Sequence, residues 1–245
     1  MTDTTERRPF LTAEWRSLVM LSYEIDPAVL APLVPRGTAL DLWKGRALVS
    51  VVGFRFLRTR ACALPLPLHG AFDEVNLRFY VRRSMPNGEV RRGVTFVREI
   101  VARRAIALAA RLTYNEPYRT VPMRSSAQPA GAGFPGRYTY EWRSSGRWHR
   151  VAATAVAPGA VPPDDADSTF ITEHHWGYTQ QRDGRTVEYR VAHPRWCVWN
   201  AESPELEADV REMFGATFAS SLGAAPVSAF VAEGSAVAVY WPETI

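Results

Sequence analysis

Tight turns between segments of alternating polarity are the feature of this sequence that most restricts its fold. Asp183-Gly184 is a strong β-hairpin signal between residues 170–181 and residues 185–191, and Lys44-Gly45 marks another hairpin turn. This pattern predicts a β-rich α+β chain of mostly antiparallel strands. Because closure removes exposed strand edges, we expect an antiparallel sheet that closes, or nearly closes, into a barrel.

A few helices are also predicted. Asp26 is a good N-cap and Pro27 suits the first helical position that follows it. Residues 103–112 have helical periodicity. Ser203-Pro204 predicts the start of another helix, with glutamates in its first turn where the helix dipole favours anions. Irregular connections are expected at residues 120–136 and 157–167.

Length and composition favour one folded domain. The chain has 245 residues, of which 47% are hydrophobic and 22% charged, and it shows neither an internal repeat nor a clear boundary. We expect a flexible tail at residues 1–9 and a single domain at residues 10–245. The two cysteines, Cys62 and Cys197, are too few for a disulfide scaffold and lack the spacing of metal ligands.

The charged residues argue against several partners. Lysine and arginine number 29 against 25 acidic residues, and Lys44 is the single lysine. The arginines are interspersed with acidic and apolar residues, so no nucleic-acid partner is expected. No segment suits a secretory leader or a membrane span, which predicts a cytoplasmic protein without a membrane partner. No nucleotide-binding motif is present, so no cofactor is expected.

A polar stripe on one predicted strand is the main candidate for a functional surface. Strand alternation over residues 72–83 places Glu74, Asn76 and Arg78 on one face and apolar residues on the other. The stripe is either a solvated outer face or the lining of a polar interior. In an interior, an arginine and a carboxylate would meet a ligand's carboxylate and its exchangeable proton.

Three other segments contain candidate residues. Arg98 and Glu99 are neighbours on a strand, so only one of them can face a shared cavity, and a structural ion pair is the alternative. A helix-exit turn contains potential acid/base groups, namely Tyr114, Glu116 and Tyr118. His174 is a candidate ligand-binding residue, but it diverges from His175 along a strand, and no metal site is expected.

A set of motifs occurs in order along almost the whole chain. The motifs are Phe10-Leu11 with Trp15, Tyr23-Glu24-Ile25-Asp26-Pro27, Val34-Pro35-Arg36-Gly37, Leu40-Asp41-Leu42-Trp43-Lys44-Gly45, residues 72–78, residues 114–118, residues 173–178 and His193-Pro194-Arg195-Trp196. Together they resemble the YqjF-like family of bacterial proteins, which is grouped with the acetoacetate-decarboxylase-like superfamily. The resemblance implies a single-domain antiparallel β-barrel-like fold with a central cavity and a few flanking helices.

The same resemblance argues against the superfamily's imine chemistry. Acetoacetate decarboxylases have Gly-Arg-Glu followed by Gly-x-Pro-Lys-Lys, in which the first lysine forms the Schiff base. Here Arg111 and Pro117 match, Leu112 replaces the carboxylate, and Tyr118 and Arg119 stand at the lysine positions. Tyrosine cannot form an imine with a ketone. The single lysine is expected in a solvated hairpin turn, so Schiff-base decarboxylation is not expected.

Two functions remain open from the sequence. The first is a small-molecule enzyme of lyase, hydratase or isomerase type that acts on a carbonyl or carboxylate metabolite by acid/base or electrostatic catalysis. Its anion clamp would be Arg111, Arg78 or Arg98, its proton-moving group Glu116, Glu99 or Glu74, and its oxyanion donor Tyr114 or Tyr118. The alternative is a non-catalytic barrel that binds a small ligand between aromatic walls. A homodimer is compatible with both.

Overall fold

One mixed sheet dominates the computed structural model, which describes residues 8–65, 70–102, 117–129 and 136–245. Its strands are mainly antiparallel, with parallel pairing where β6 meets β7 and β11. Their bounds are β1 (Leu11–Ile25), β2 (Ala39–Leu40), β3 (Ala47–Ala61), β4 (Leu64–Pro65), β5 (Phe72–Ser84), β6 (Val90–Val101), β7 (Tyr118–Thr120), β8 (Met123–Pro129), β9 (Gly136–Ser144), β10 (Arg147–Ala160), β11 (Trp176–Gln180), β12 (Thr186–Ala192), β13 (Val198–Glu207), β14 (Ser228–Val239) and β15 (Glu243–Thr244).

Seven of these strands close into a ring, in the order β1-β3-β5-β6-β11-β12-β14. Closure occurs at the end of β14, where Ala238 lies opposite Thr12 of β1 on one side and Ala192 of β12 on the other. The seams β6–β11 and β12–β14 contain only two residue pairs each. The ring is therefore barrel-like rather than a regular barrel, which confirms the predicted fold class.

Two apolar cores lie on opposite faces of the ring strands. Strands β8, β9, β10 and β13 form an outer sheet that continues from β14. The outer core joins this sheet to the ring, where Tyr140 and Trp142 pack with Val51 and Leu77. The inner core lines the ring interior and includes Met20, Val52, Phe54, Tyr80 and Phe230.

The described helices are short. They are α1 (Pro27–Leu30), α2 (Asp167–Thr172), α3 (Val210–Met213) and α4 (Ala219–Leu222), with 3-10 turns at Ala31–Leu33 and Ala216–Phe218. The predicted cap of α1 is confirmed, because the Asp26 side chain accepts a hydrogen bond from the Ala28 backbone amide at 2.8 Å. None of the described helices has the length and apolar composition that a membrane crossing requires.

Both predicted hairpin turns are confirmed. Lys44 and Gly45 have φ values of 49° and 81° between the bridged residues Trp43 and Arg46, as a type I′ turn requires. Gly184 has a φ of 82° between β11 and β12.

The helix predicted at Ser203-Pro204 is wrong, because this dipeptide lies inside β13. Ser203 has a φ of 47°, and the β10–β13 register shifts here, so the proline occupies a bulge rather than a helix start. Glu205 pairs with Arg137 of β9 and Arg150 of β10 instead of with a helix dipole. Backbone pairing of β13 with β10 therefore overrides the local helix signal.

Three other local predictions need correction or lie outside the described residues. The strand expected at residues 170–181 begins only at Trp176, because Phe170 belongs to α2 and is buried in the inner core. Parts of the expected irregular connections are strands, because Met123–Pro129 and the last residues of β10 pair with neighbours. The helix predicted at residues 103–112 lies outside the described residues.

Candidate functional site

The two faces of β5 separate polar from apolar side chains. Val75, Leu77 and Phe79 are buried in the outer core. The alternate residues Glu74 and Asn76 are also buried, and they face the ring interior. The polar stripe of the sequence therefore lies inside the molecule rather than on a solvated face.

The strand register gathers four polar side chains on that interior face. Asn76 of β5 lies opposite Glu99 of β6, and Glu99 lies opposite Tyr118 of β7. Directly paired residues project to the same face of a sheet. We call Glu74, Asn76, Glu99 and Tyr118 the carboxylate cluster, and all four are buried.

Donors on both sides hold the Glu74 carboxylate. The Asn76 amide donates to its Oε1 at 3.0 Å, and the Tyr118 hydroxyl lies 3.4 Å from its Oε2. Glu74 is only 2% exposed, and Phe54 pairs with it across β3. In such an apolar environment the charge and hydrogen bonds of a carboxylate act more strongly than in water.

Arg78 extends the stripe beyond the carboxylate cluster. Its Nη2 donates to the Ile171 carbonyl oxygen at 3.2 Å, and its guanidinium carbon lies 5.9 Å from the centre of the Tyr80 ring. Its buried Nε finds no hydrogen-bond partner in the described part of the chain. The Nε donor of Arg78 is therefore available to an anion.

A chain of hydroxyl groups follows Arg78 on the same face. The Tyr80 hydroxyl lies 2.6 Å from the Ser50 hydroxyl, which lies 2.6 Å from that of Ser22. These serines were not predicted as site residues. Their signal in the sequence is weak, because each is one small polar residue within a largely apolar strand.

A buried ionic network closes this end of the interior. Oδ2 of Asp41 accepts a 2.7 Å hydrogen bond from Arg92 Nε and lies 3.0 Å from Nε2 of His174. The rings of His174 and Tyr80 have centroids 4.7 Å apart. Asp41 and Arg92 were missed by the sequence reasoning, because each is distant in sequence from His174.

The network has clear protonation preferences. Burial lowers the pKa of His174 to about 4, although the hydrogen bond to Asp41 acts in the opposite direction. Burial raises the pKa of Asp41, but the hydrogen bonds with His174 and Arg92 outweigh it and leave the pKa below its ordinary value. At neutral pH the pair therefore consists of a neutral imidazole and an ionised carboxylate.

The other candidate residues fall in different places. Arg98 lies opposite Leu77 beside a bulge in β6, so it projects away from Glu99, as strand alternation requires. Lys44 is 57% exposed, and its Nζ lies 3.6 Å from Asp167 Oδ1. Three candidates lie outside the described residues, namely Arg111, Tyr114 and Glu116. The described ranges contain no group of three or more His, Cys, Asp or Glu residues suited to a metal ion.

A separate groove of about 590 Å³ lies along β11 and β12. Its charged groups are largely paired, since Arg91 binds Glu188 at 2.5 Å and Glu89 at 3.3 Å. His175 lies 3.2 Å from Glu173. Most of the charged side chains that line the groove therefore already have a partner.

Comparisons with known proteins agree with this architecture. The chain matches the DUF2071 family, described as "Uncharacterized conserved protein", over residues 12–236. It is 27% identical over 209 residues to the uncharacterized protein YqjF of Bacillus subtilis (strain 168), covering 84% of this chain and 82% of that protein.

Solved structures show the same fold at low sequence identity. The enduracididine biosynthesis enzyme MppR complexed with pyruvate has a TM-score of 0.67 at 14% identity, covering 99% of this chain and 93% of its own. An acetoacetate decarboxylase-like enzyme from Sphingomonas wittichii RW1 has a TM-score of 0.67 at 16% identity, covering 100% and 97%. Acetoacetate decarboxylase from Legionella pneumophila has a TM-score of 0.64 at 13% identity, covering 100% and 90%. The chain therefore belongs to the YqjF-like DUF2071 family and has the fold of the acetoacetate-decarboxylase-like superfamily.

Proposed function

We propose that the protein is a small-molecule enzyme that moves a proton on a carbonyl or carboxylate metabolite without forming a Schiff base. The observation that carries this proposal is the buried carboxylate of Glu74, with Asn76 and Tyr118 at its two oxygens on the interior face of the ring. A carboxylate positioned beside a phenol in an apolar site suits general acid/base catalysis.

Each group has one role in the proposed reaction. Glu74 takes a proton from the carbon next to the substrate carbonyl. When substrate binds, the single hydroxyl proton of Tyr118 turns from Glu74 Oε2 to the substrate oxygen on which negative charge develops. Arg78 binds the substrate carboxylate through its open Nε donor. Glu74 and Arg78 lie on the same face of β5 but four residues apart, about 13 Å along the strand, so their long side chains must converge on the substrate from the two ends of the stripe.

Two further observations support the substrate class and the absence of an imine. MppR is described in complex with pyruvate, a small oxo acid, and shares the fold of this chain. Lys44, the single lysine, lies in an exposed turn beside Trp43 and Asp167, and these residues belong to the surface hairpin and to α2. Lys44 is thus exposed and paired with a surface carboxylate, whereas the carboxylate cluster is buried.

Deuterium exchange tests the proposal. We expect the protein to accelerate exchange of the pyruvate methyl protons in D2O, followed by proton NMR. Glu74→Gln should lower the rate by about 10²–10⁴-fold, as expected for loss of a general base. Tyr118→Phe should lower it by about 10²-fold, as expected for loss of an oxyanion donor. Borohydride treatment with acetoacetate should leave the protein mass unchanged.

A surface carboxylate supplies the matched control. Glu141 is paired with Arg124 outside the ring interior, so Glu141→Gln should retain the exchange rate. Thermal unfolding establishes that each variant is folded. Exchange that is unaffected by Glu74→Gln, or a reduced adduct that is absent in Lys44→Ala, would contradict the proposal.

Binding without catalysis is the second candidate function. Its support is the aromatic part of the inner core, where Phe56 and Phe72 stack with centroids 4.4 Å apart and Trp15 meets Phe54 edge-on at 5.4 Å. Such rings provide a rigid apolar wall for a ligand. Saturable binding of pyruvate with no acceleration of exchange would favour this function over the first.

A further inference from the structure

His174 presents a buried acceptor to the ring interior. Asp41 is ionised, so its Oδ2 can only accept hydrogen bonds, and the Nε2 of His174 at 3.0 Å must carry the proton. A neutral imidazole protonated at Nε2 has a bare lone pair at Nδ1. The His174 side chain is 1% exposed, and Nδ1 has no hydrogen-bond partner in the described ranges.

Arg78 presents a complementary buried donor close by. Its Nη2 is bound to the Ile171 carbonyl oxygen, whereas Nε has no partner among the described residues. The guanidinium carbon of Arg78 and the ring centroid of His174 lie 5.9 Å and 4.7 Å, respectively, from the centre of the Tyr80 ring. Both groups therefore lie beside the Tyr80 ring.

Leaving these two groups unpaired is costly. A buried polar atom without a partner destabilises a protein by about 1–3 kcal/mol. A ligand that offers an anionic acceptor to Arg78 and a hydroxyl donor to His174 removes both deficits. A ketone oxygen can only accept, so it cannot satisfy Nδ1.

We propose that the ring interior recognises a small hydroxycarboxylate, whose carboxylate binds Arg78 and whose hydroxyl group donates to Nδ1 of His174. The inference rests on the proposed function, because it narrows the carbonyl or carboxylate metabolite of the same interior to one that also has a hydroxyl group; pyruvate, which lacks that group, serves in the exchange assay only as a probe of proton transfer. It assigns His174 as a specificity-determining residue, held in one tautomer by Asp41. Hydroxycarboxylates are substrates or products of enzymes that add or remove water.

Calorimetric titration at neutral pH with matched acids tests this inference. The pairs are lactate against propionate and 3-hydroxybutyrate against butyrate, with both enantiomers of each hydroxy acid. We expect one hydroxy acid to bind roughly 5- to 100-fold more tightly than its matched acid, as a satisfied buried acceptor predicts. His174→Phe keeps a ring but removes the acceptor, so it should bring this ratio close to one while the affinity for the unhydroxylated acid is retained.

Two further variants separate recognition from folding. His174→Gln places an amide where Nε2 meets Asp41 but leaves no acceptor at the Nδ1 position. It should therefore also bring the affinity ratio of each matched pair close to one. Arg78→Gln should weaken both acids of a pair alike, because it removes the carboxylate partner. Circular dichroism and thermal unfolding monitor the fold of each variant.

Each remaining outcome overturns the inference. Those outcomes are a wild-type affinity ratio near one, equal weakening of both acids by the His174 variants, and no binding of any of these acids. The deuterium-exchange assay is independent of this ratio. If exchange depends on Glu74 while the ratio is absent, the hydroxycarboxylate inference fails and the proposed function stands. If the ratio is present without exchange, the proposed catalysis fails and the recognition remains.

Discussion

At the scale of residues, the interior of the ring is distinguished by polar groups in an otherwise apolar lining. Ser22, Ser50 and Tyr80 satisfy one another through consecutive hydroxyl contacts. The buried atoms without a partner among the described residues include Nε of Arg78 and Nδ1 of His174, one a donor and the other an acceptor. Buried polar groups are normally paired, so a donor and an acceptor left open beside the same Tyr80 ring are consistent with a ligand that pairs with both.

His174 also couples stability to pH. Its pKa is about 4 in the folded protein and about 6.5 in an unfolded chain, so the unfolded state binds a proton first as the pH falls. We expect the free energy of unfolding to decrease between about pH 6.5 and pH 4, by at most roughly 1.4 kcal/mol per pH unit from this group. Above about pH 7, His174 is neutral in both states and does not change the free energy of unfolding.

Urea unfolding across pH 4.5–7.5 measures this dependence. His174→Gln should flatten the slope, whereas His175→Gln controls for the removal of an imidazole. Burial also lowers the pKa of His193 to about 4, so part of the slope remains in the variant. Asp41 has a lowered pKa, and its contribution is lost only at lower pH. An unchanged slope in His174→Gln would contradict the assignment of a neutral buried histidine.

The sequence predicted the polar stripe but not the network around His174. Alternation along one strand is a local property, so Glu74, Asn76 and Arg78 were identified together from their spacing. Asp41 and His174 are separated by 133 positions, and they meet only because α2 packs near the start of the Lys44-Gly45 hairpin. No local pattern contains that contact.

At the scale of elements, glycines and bulges determine how the strands fit. Gly234 has a φ of 80° inside β14, beside the irregular stretch of β1 that contains Ser17. A Cβ atom at this position would lie 1.9 Å from the Trp15 carbonyl oxygen. Both the backbone conformation and the close approach of β1 therefore require glycine here.

Gly234→Ala should destabilise the protein by about 3–4 kcal/mol, because the left-handed conformation costs about 1–2 kcal/mol and overpacking adds to it. Gly146→Ala is the control, since its φ is 79° but nothing lies within 4 Å of an added Cβ. Gly146→Ala should lower the free energy of unfolding only by the cost of the left-handed conformation, about 1–2 kcal/mol. Denaturant unfolding of both variants gives the comparison, and equal losses would show that the β1 contact is unimportant.

At the scale of the whole molecule, the outer sheet and the ring share one core. Trp142 of β9 is fully buried among side chains of both sheets, and Tyr140 of the same strand donates to the Ser17 carbonyl oxygen of β1 at 2.8 Å. These contacts predict that the outer sheet and the ring unfold together, as a single domain over residues 10–245 would.

Trp142→Ala should lower the free energy of unfolding by about 3–5 kcal/mol while the transition remains cooperative. Trp148, on the neighbouring strand β10, is 37% exposed, so Trp148→Ala should cost much less. Far-UV circular dichroism and tryptophan fluorescence should give coincident transitions in both variants. Two separated transitions would contradict the prediction of one domain.

The sequence alone determined what depends on neighbouring residues. Hairpin turns follow from the conformations that Gly184 and the Lys44-Gly45 pair adopt, the α1 cap follows from Asp26, and the two faces of β5 follow from a repeat of two residues. The tertiary structure decided what depends on distant partners. Backbone pairing with β10 holds Glu205 in a strand despite a helix-start signal, and ring closure turns the polar stripe inward on the face where Tyr80 meets His174. Local conformational preferences amount to about 1 kcal/mol per residue, so cross-strand pairing and burial can override them wherever the chain folds back on itself.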